Sequence, residues 1–326
     1  DGGGASPGPA ASNVDPTDAI SAMLAAQFDA ATQAVEQSTA AQGRGKRGVR
    51  TDAPTFAAAE GEGGDTQTES LDMRYRKVLY TEASSALCEA DMASEMEAII
   101  REDWSSASLL TRLIPLFRPK LRTDELREQR DKLMAIAKVP LGEVPMHERI
   151  LYSCYRALTG ESTCPPRFGP HWELIGFQGD DPATDLRGAG MLSLLQVMHF
   201  SSKRPQLLQE IYRTSRRDGA DFPFMVVSIN MTQLTLGALR AGVLTKACNR
   251  NKQVYDTVHT FYEACYLHMF EDWKSNHCTI VDFDRVKKDV ARLSLQKPAD
   301  LFKRLEGWSP AGALQLEQGA GFADLG

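Results

Sequence analysis

An all-α fold follows from three observations on this 326-residue chain. From Leu71 onward, apolar residues recur at spacings of three and four in one segment after another, the period of a helix face. Runs that alternate apolar and polar side chains, as a half-buried strand requires, are absent. From Leu71 onward Asn-Gly and Asp-Gly hairpin dipeptides are missing too, apart from Asp218-Gly219, which sits at the end of a predicted helix. The chain therefore reads as one multi-helix domain over residues 70–306, with a low-complexity tail before it (1–69) and a C-terminal tail after it (307–326).

Residues 1–14 and 39–70 are rich in Gly, Ala, Ser, Thr and Pro and poor in large apolar side chains, so burial there cannot offset the entropy of ordering. The N-terminal tail is expected to be largely disordered. Between those stretches an amphipathic helix is predicted over about 16–38. Asp15 can cap it, Pro16 takes its first position, and Ile20, Met23, Leu24, Phe28, Ala31 and Val35 share a face. The charges on its polar face are acidic, which disfavours an anionic membrane. The GRGKRGVR stretch that follows, with Arg44, Lys46, Arg47 and Arg50, reads as linker.

In the domain, Leu71, Tyr75, Val78, Leu79 and Leu87 line a first helical face, and Met92, Met96, Ile99 and Ile100 continue it toward Trp104. Ser105 or Ser106 can cap a short helix that Pro115 limits. Arg118, Lys120, Arg122, Arg127, Arg130 and Lys132 then crowd together. Interleaved Asp124, Glu125, Glu128 and Asp131 make a solvated helix face the economical reading, and contact with an acidic partner or lipid headgroup the sharper one. Pro145 opens the next helix, with Ile150, Leu151, Cys154 and Leu158 inward and Gly160 at its end. The span ESTCPPRFGPH is a proline-broken loop that delivers the chain to Trp172.

Beyond Phe200, residues 201–205 form a link to a helix using Leu207, Leu208, Ile211 and Tyr212. Another helix, from about Asp221, buries Phe224, Val227, Met231 and Leu234. A long core helix from about Asn251 carries Val254, Val258, Phe261, Cys265, Met269 and Trp273 inward. The last runs through Val286, Val290 and Leu293 and is ended or redirected by Pro298.

Charge and cysteine usage narrow the function. Residues 1–70 hold ten acidic and four basic side chains and so account for the net charge of −6, leaving a body with 33 of each sign. A balanced body argues against nucleic-acid binding, which needs a cationic surplus to displace counterions. The six cysteines, at 88, 154, 164, 248, 265 and 278, form no C-x-x-C pair and are expected to be reduced cytosolic thiols. No apolar run is long enough to span a bilayer, and the tail lacks the basic-then-apolar layout of a signal peptide. The first residue is Asp1, so a start upstream of it is left open. A phosphate-binding loop, a GxSxG elbow and an HExxH helix are all absent, so the chain is expected to be neither a GTPase nor an enzyme with its own substrate pocket. Cys265, His268, His277 and Cys278 have the donor types of a zinc site, but Cys265 lies on a core stripe, and the expectation is no metal and no cofactor.

The densest group of special-purpose residues is the segment 172–195, WELIGFQGDDPATDLRGAGMLSLL. Gly176 and Gly179 bracket Phe177-Gln178 as a loop. Asp181-Pro182 offers a cap and a first helical residue. Two glycines at 188 and 190 interrupt that helix almost at once, which leaves Arg187 on a short turn near the surface before an apolar helix resumes at Met191. From residue types alone, Arg187 reads equally well as a structural clamp paired to Asp180, Asp181 or Asp185.

Trp172, Ile175-Gly176-Phe177-Gln178, Pro182, Asp185-Leu186-Arg187-Gly188, Gly190 and Leu194 closely resemble the motif of the ELMO (engulfment and cell motility) domain. The form is that of the small ELMO-domain-containing proteins that activate GTP hydrolysis by Arf-like GTPases. The resemblance extends with lower specificity from about Leu71 to Leu293 and does not cover the N-terminal tail. In that family the motif arginine is essential for GTPase activation, which implies a catalytic arginine finger at Arg187. Asp185, Gln178 and Gly188 would support it, and Trp172 and Phe177 would pack the loop. The implied partner is an Arf or Arf-like GTPase in its GTP-bound form, met in the cytoplasm, with association to a cilium, an organelle membrane or a large assembly left open. The resemblance also allows a non-catalytic scaffold, comparable to the larger ELMO proteins that work with DOCK exchange factors, or a structural component of a ciliary or cytoskeletal assembly. Such scaffolds generally lack the motif arginine, so its presence here favours catalysis.

Overall fold

Proline and glycine decide where most of these helices begin and end. In the computed structural model, which describes residues 76–97, 99, 120–162 and 165–310, the chain forms α1 (Tyr80–Glu89), α2 (Asp124–Ile136), α3 (Pro145–Thr159), α4 (Pro182–Asp185), α5 (Gly190–Lys203), α6 (Pro205–Thr214), α7 (Phe224–Arg240), α8 (Thr245–Asn251), α9 (Tyr255–Ser275), α10 (Phe283–Gln296) and α11 (Pro298–Gly307). Proline takes the first position of α3, α4, α6 and α11, where its missing N–H costs no hydrogen bond. Thr123 caps α2 by accepting from the Leu126 amide, and Thr279 and Asp282 form a reciprocal capping box just before α10. No strand occurs among the described residues, and the all-α prediction holds for them.

Two helices have no polar face, and both lie inside. Every residue of α5 from Gly190 to Phe200 is buried, as is every residue of α9 from Phe261 to Phe270. A helix apolar on all sides must be surrounded. Around α5 pack α1, α2, α3, α6, α7 and α9, while α9 also meets α10 and α11. The side chains Phe200, Phe224, Phe261, Tyr262 and Tyr266 fill the space between α5, α7 and α9. Each such side chain contributes about 1.5–3 kcal/mol through burial. Tyr262 and Tyr266 satisfy their buried hydroxyls on Ser228 (2.6 Å) and the Phe224 carbonyl (3.0 Å).

Several expectations change. The first helix starts at Tyr80, because Val78 is buried while Leu79 is 64% exposed, an alternation that belongs to an extended entry segment. The Val78 amide donates to Ser153 Oγ (2.9 Å), which ties that segment to α3. Helix α5 runs to Lys203, so Arg204 alone forms the link to α6. Helix α8 was not anticipated. Pro298 starts α11, whose Leu301 and Leu305 are buried. The cationic run is neutralised locally, through Arg127 with Asp124, Arg130 with Asp131 and Lys132 with Glu128. The amphipathic helix predicted over 16–38, the linker cations, Leu71, Tyr75, Trp104, Pro115, Arg118 and Cys164 lie outside the described residues.

Candidate functional site

The segment around residue 187 is assembled on a buried tryptophan. Trp172 sits in a short 3-10 turn (Pro170–Ile175), fully buried between Tyr152, Tyr155 and Phe177 at ring separations of 6.0, 5.6 and 6.3 Å. Its indole N–H donates to the Arg167 carbonyl (3.0 Å), which draws the proline-broken loop onto it. The chain then turns at Gly176, held at φ +86°, where a Cβ would come within 2.6 Å of the Pro223 carbonyl carbon. Only glycine fits against the start of α7 at that point. Phe177 points inward, while Gln178 lies on the surface.

Asp181 caps α4 by accepting from the Ala183 amide (2.9 Å) and also pairs with Arg167 (2.8 Å). The single turn of α4 passes into a 3-10 turn, Leu186–Gly188, whose Leu186 is buried and whose Arg187 and Gly188 are exposed. A side chain at 188 would strike the Gln233 amide of α7. Gly190 then opens α5 at φ +51°, where a Cβ would meet the Val139 and Ala137 carbonyl oxygens at 2.5 and 2.7 Å. The first buried residue after it, Met191, donates its amide to Val139 (2.9 Å). The turn carrying Arg187 is thus pinned on both sides, by α7 and by the loop after α2.

The carboxylates of Asp181 and Asp185 are engaged elsewhere. Asp185 Oδ2 accepts from the Gln178 amide (2.6 Å), tying the Phe177-Gln178 loop to the arginine turn. Burial raises the Asp185 pKa, the Gln178 amide opposes that shift and the charge of Asp181 adds to it. Asp181 belongs to Arg167, and the Asp180 carbonyl accepts from the Gly169 amide (2.9 Å). Arg187 itself has no hydrogen-bond or ion-pair partner among the described residues. None of the clamps that residue types allow for it is formed. The arrangement exposes a fixed positive charge and a planar set of five donors on a braced backbone, which suits a phosphate or carboxylate brought by a second molecule.

Elsewhere the candidate groups do not assemble. Cys265 is fully buried, His268 pairs with Asp289 (2.9 Å), and no cluster of three or more metal-ligating side chains occurs among the described residues. One constellation was missed by sequence reasoning. His199 of α5 is buried, with Nδ1 2.6 Å from Glu263 and Nε2 3.3 Å from Asp256; Glu263 also pairs with Arg204, and His259 stacks on His199 at 4.8 Å. Burial, and then the neighbouring His199, hold the His259 pKa well below the usual range. No sequence signal marked these positions, since their partners lie on different helices.

Residues 132–287 match the family model of the ELMO/CED-12 family. The chain is 41% identical to human ELMO domain-containing protein 3 over 194 residues, 59% of this chain and 51% of that protein. It is 32% identical to human ELMO domain-containing protein 2 over 122 residues, 37% of this chain and 42% of the relative. With ELMO domain-containing protein 1 from Bos taurus it shares 30% identity over 165 residues, 44% and 51% of the two chains. The chain spans about half the length of the curated relatives it matches. No solved structure matches.

Proposed function

From the ELMO domain that this chain carries, we propose a GTPase-activating protein for an Arf or Arf-like GTPase, with Arg187 supplied in trans to the GTP-bound partner. The observation that carries this reading is the exposed, unpartnered Arg187 on a turn whose two acids, Asp181 and Asp185, are engaged with other donors. In GTP hydrolysis negative charge spreads over the oxygens between the β- and γ-phosphates. A guanidinium presented there is worth about 10³- to 10⁵-fold in rate. Its planar fork offers two parallel hydrogen bonds to phosphate oxygens, which an ammonium cannot reproduce.

The surrounding residues act by holding that fork ready. Asp185 keeps the Phe177-Gln178 loop in register with the turn, Gly188 gives room beside Gln233, and Gln178 is free at the surface to help orient the attacking water. Residues 70–306 are the proposed working domain. Among the described residues no helix is long and apolar enough to cross a membrane. The proposed place of work is the cytoplasm, at a cilium or organelle membrane, as the family resemblance implies.

The test is single-turnover hydrolysis by a panel of GTP-loaded Arf and Arf-like GTPases, with and without this protein and its Arg187→Ala variant. Stimulation of at least about 10³-fold is expected for one member, and its loss in the variant. Binding of a GTP-loaded partner without stimulation would replace this reading with the scaffold one.

A further inference from the structure

We propose that Arg167 is the positioning residue for Arg187, an inference that rests on reading Arg187 as the group presented to the GTPase. Fourteen residues separate Arg167 from Asp181, yet Arg167 Nη1 lies 2.8 Å from Asp181 Oδ1. That same oxygen accepts from the Ala183 amide at the start of α4 (2.9 Å), and the Asp181 carbonyl accepts from Thr184 Oγ1 (2.8 Å). Asp181 is therefore the point from which the helical turn leading to Arg187 hangs. Arg167 is the cation that holds it.

Arg167 is in turn immobilised. Its side chain is 15% exposed and lies over the Phe168 ring, 4.7 Å from the centroid. Its carbonyl accepts from the buried Trp172, and the Gly169 amide donates to Asp180 (2.9 Å), so the 165–169 loop is bonded to both ends of its neighbour. The Arg167 end of the pair is shielded from water while Asp181 is 35% exposed, so the contact works mainly by fixing geometry. One end of the chain from core to surface is Trp172 and the other is Arg187. α4 has only four residues and one intrahelical turn, too short to hold its direction unaided. The tertiary strut from Arg167 supplies what local helix formation cannot.

The experiment compares wild type, Arg167→Met, Arg167→Lys and Arg187→Ala in two measurements. In single-turnover hydrolysis Arg167→Met should lower the saturating stimulated rate about 10- to 100-fold, because a small misplacement of a reacting group costs that much. The GTPase concentration giving half-maximal stimulation should stay within about twofold and the melting temperature within about 2 °C. Arg167→Lys should restore most of the rate, since one nitrogen makes the contact to Asp181. By hydrogen exchange, the amides of Ala183, Leu186 and Ala189 should exchange about tenfold faster in Arg167→Met, with those of α5 and α9 unchanged. Unchanged exchange at those three amides, a rate loss that merely follows melting temperature, or no rescue by lysine would overturn the proposal. If wild type and Arg187→Ala stimulate alike, the arginine-finger reading fails, and the exchange data still decide whether Arg167 holds the turn.

Discussion

Two arginines flank the same buried helix and have opposite fates. α5, 14 residues and about 21 Å long, begins just after Arg187 and is capped at its far end by Arg204. Arg204 reaches into the core and pairs with Glu263, a carboxylate with no solvent exposure that is shared with the imidazole of His199. Arg187 stays at the surface with no partner among the described residues. The contrast teaches how a protein allocates charge: a cation that reaches the interior is tied into a network, because a lone buried charge is too costly. In the proposed reading, a cation offered to another molecule is left unpaired, and the carboxylates of Asp181 and Asp185 beside it are occupied with other donors.

The largest expected effect comes from making the same conservative change at both sites. Arg187→Lys should remove about 10³-fold or more of the GTPase stimulation while leaving the melting temperature within about 1 °C of wild type. Arg204→Lys should do the reverse, lowering stability and keeping stimulation. A lysine at 187 that activates fully would erase the functional side of the contrast. Next in size, Glu263→Ala removes the acid that Arg204 and His199 share, and should cost about 3–5 kcal/mol in urea unfolding. A loss below 1 kcal/mol would mean that water already satisfies those cations.

A smaller effect sharpens the buried end. His259 is stacked on His199, with Tyr80 edge-on to both rings, Glu263 one turn along the same helix, Asp256 and Lys203 at the rim and Arg204 beyond Glu263. Both of its ring nitrogens lack a partner among the described residues. Its folded pKa lies below its unfolded value of about 6.5, so below that pH the unfolded chain takes up a proton the native state refuses. Stability is therefore complete above about pH 6.5 and falls as pH drops, by about 1.4 kcal/mol per unit for this group. His259→Phe should remove about 1 kcal/mol of the stability lost between pH 6.5 and 5.5. An unchanged slope would locate the acid sensitivity in other groups, such as His147, which burial also shifts downward. The smallest effect belongs to the exposed cations that are neither buried nor poised: Lys120→Ser with Arg122→Ser should change stability by less than about 0.5 kcal/mol. Their backbone groups, bonded to Asn249 (2.9 Å each way), hold that stretch without the side chains.

Much of the fold was legible because it rests on local rules. Pro145 and Gly160 bound α3 as their backbone preferences require, and the inward stripes of α7 and α9 follow the helical period. The errors fell where a distant contact overrode a local pattern. Val78 and Leu79 continue a helical face on paper, but the Val78 amide bonds Ser153, 75 residues away, and the segment is extended. A proline such as Pro298 can end one helix or begin the next, and the packing of Leu301 and Leu305 made the choice.

At the site itself, residue types and spacing were enough to place an arginine on a short glycine-broken turn between a loop and an apolar helix. They could not say where its charge goes. Asp185 is two residues from Arg187, but positions two apart on a helical turn do not face each other, and the carboxylate turns to the Gln178 amide instead. Asp181 finds Arg167 across 14 residues, and His199 finds Glu263 across 64. Periodicity and turn chemistry act between neighbours in the chain, so the sequence alone carries them. Charge pairing acts between neighbours in space, and only the packed helices determine which those are.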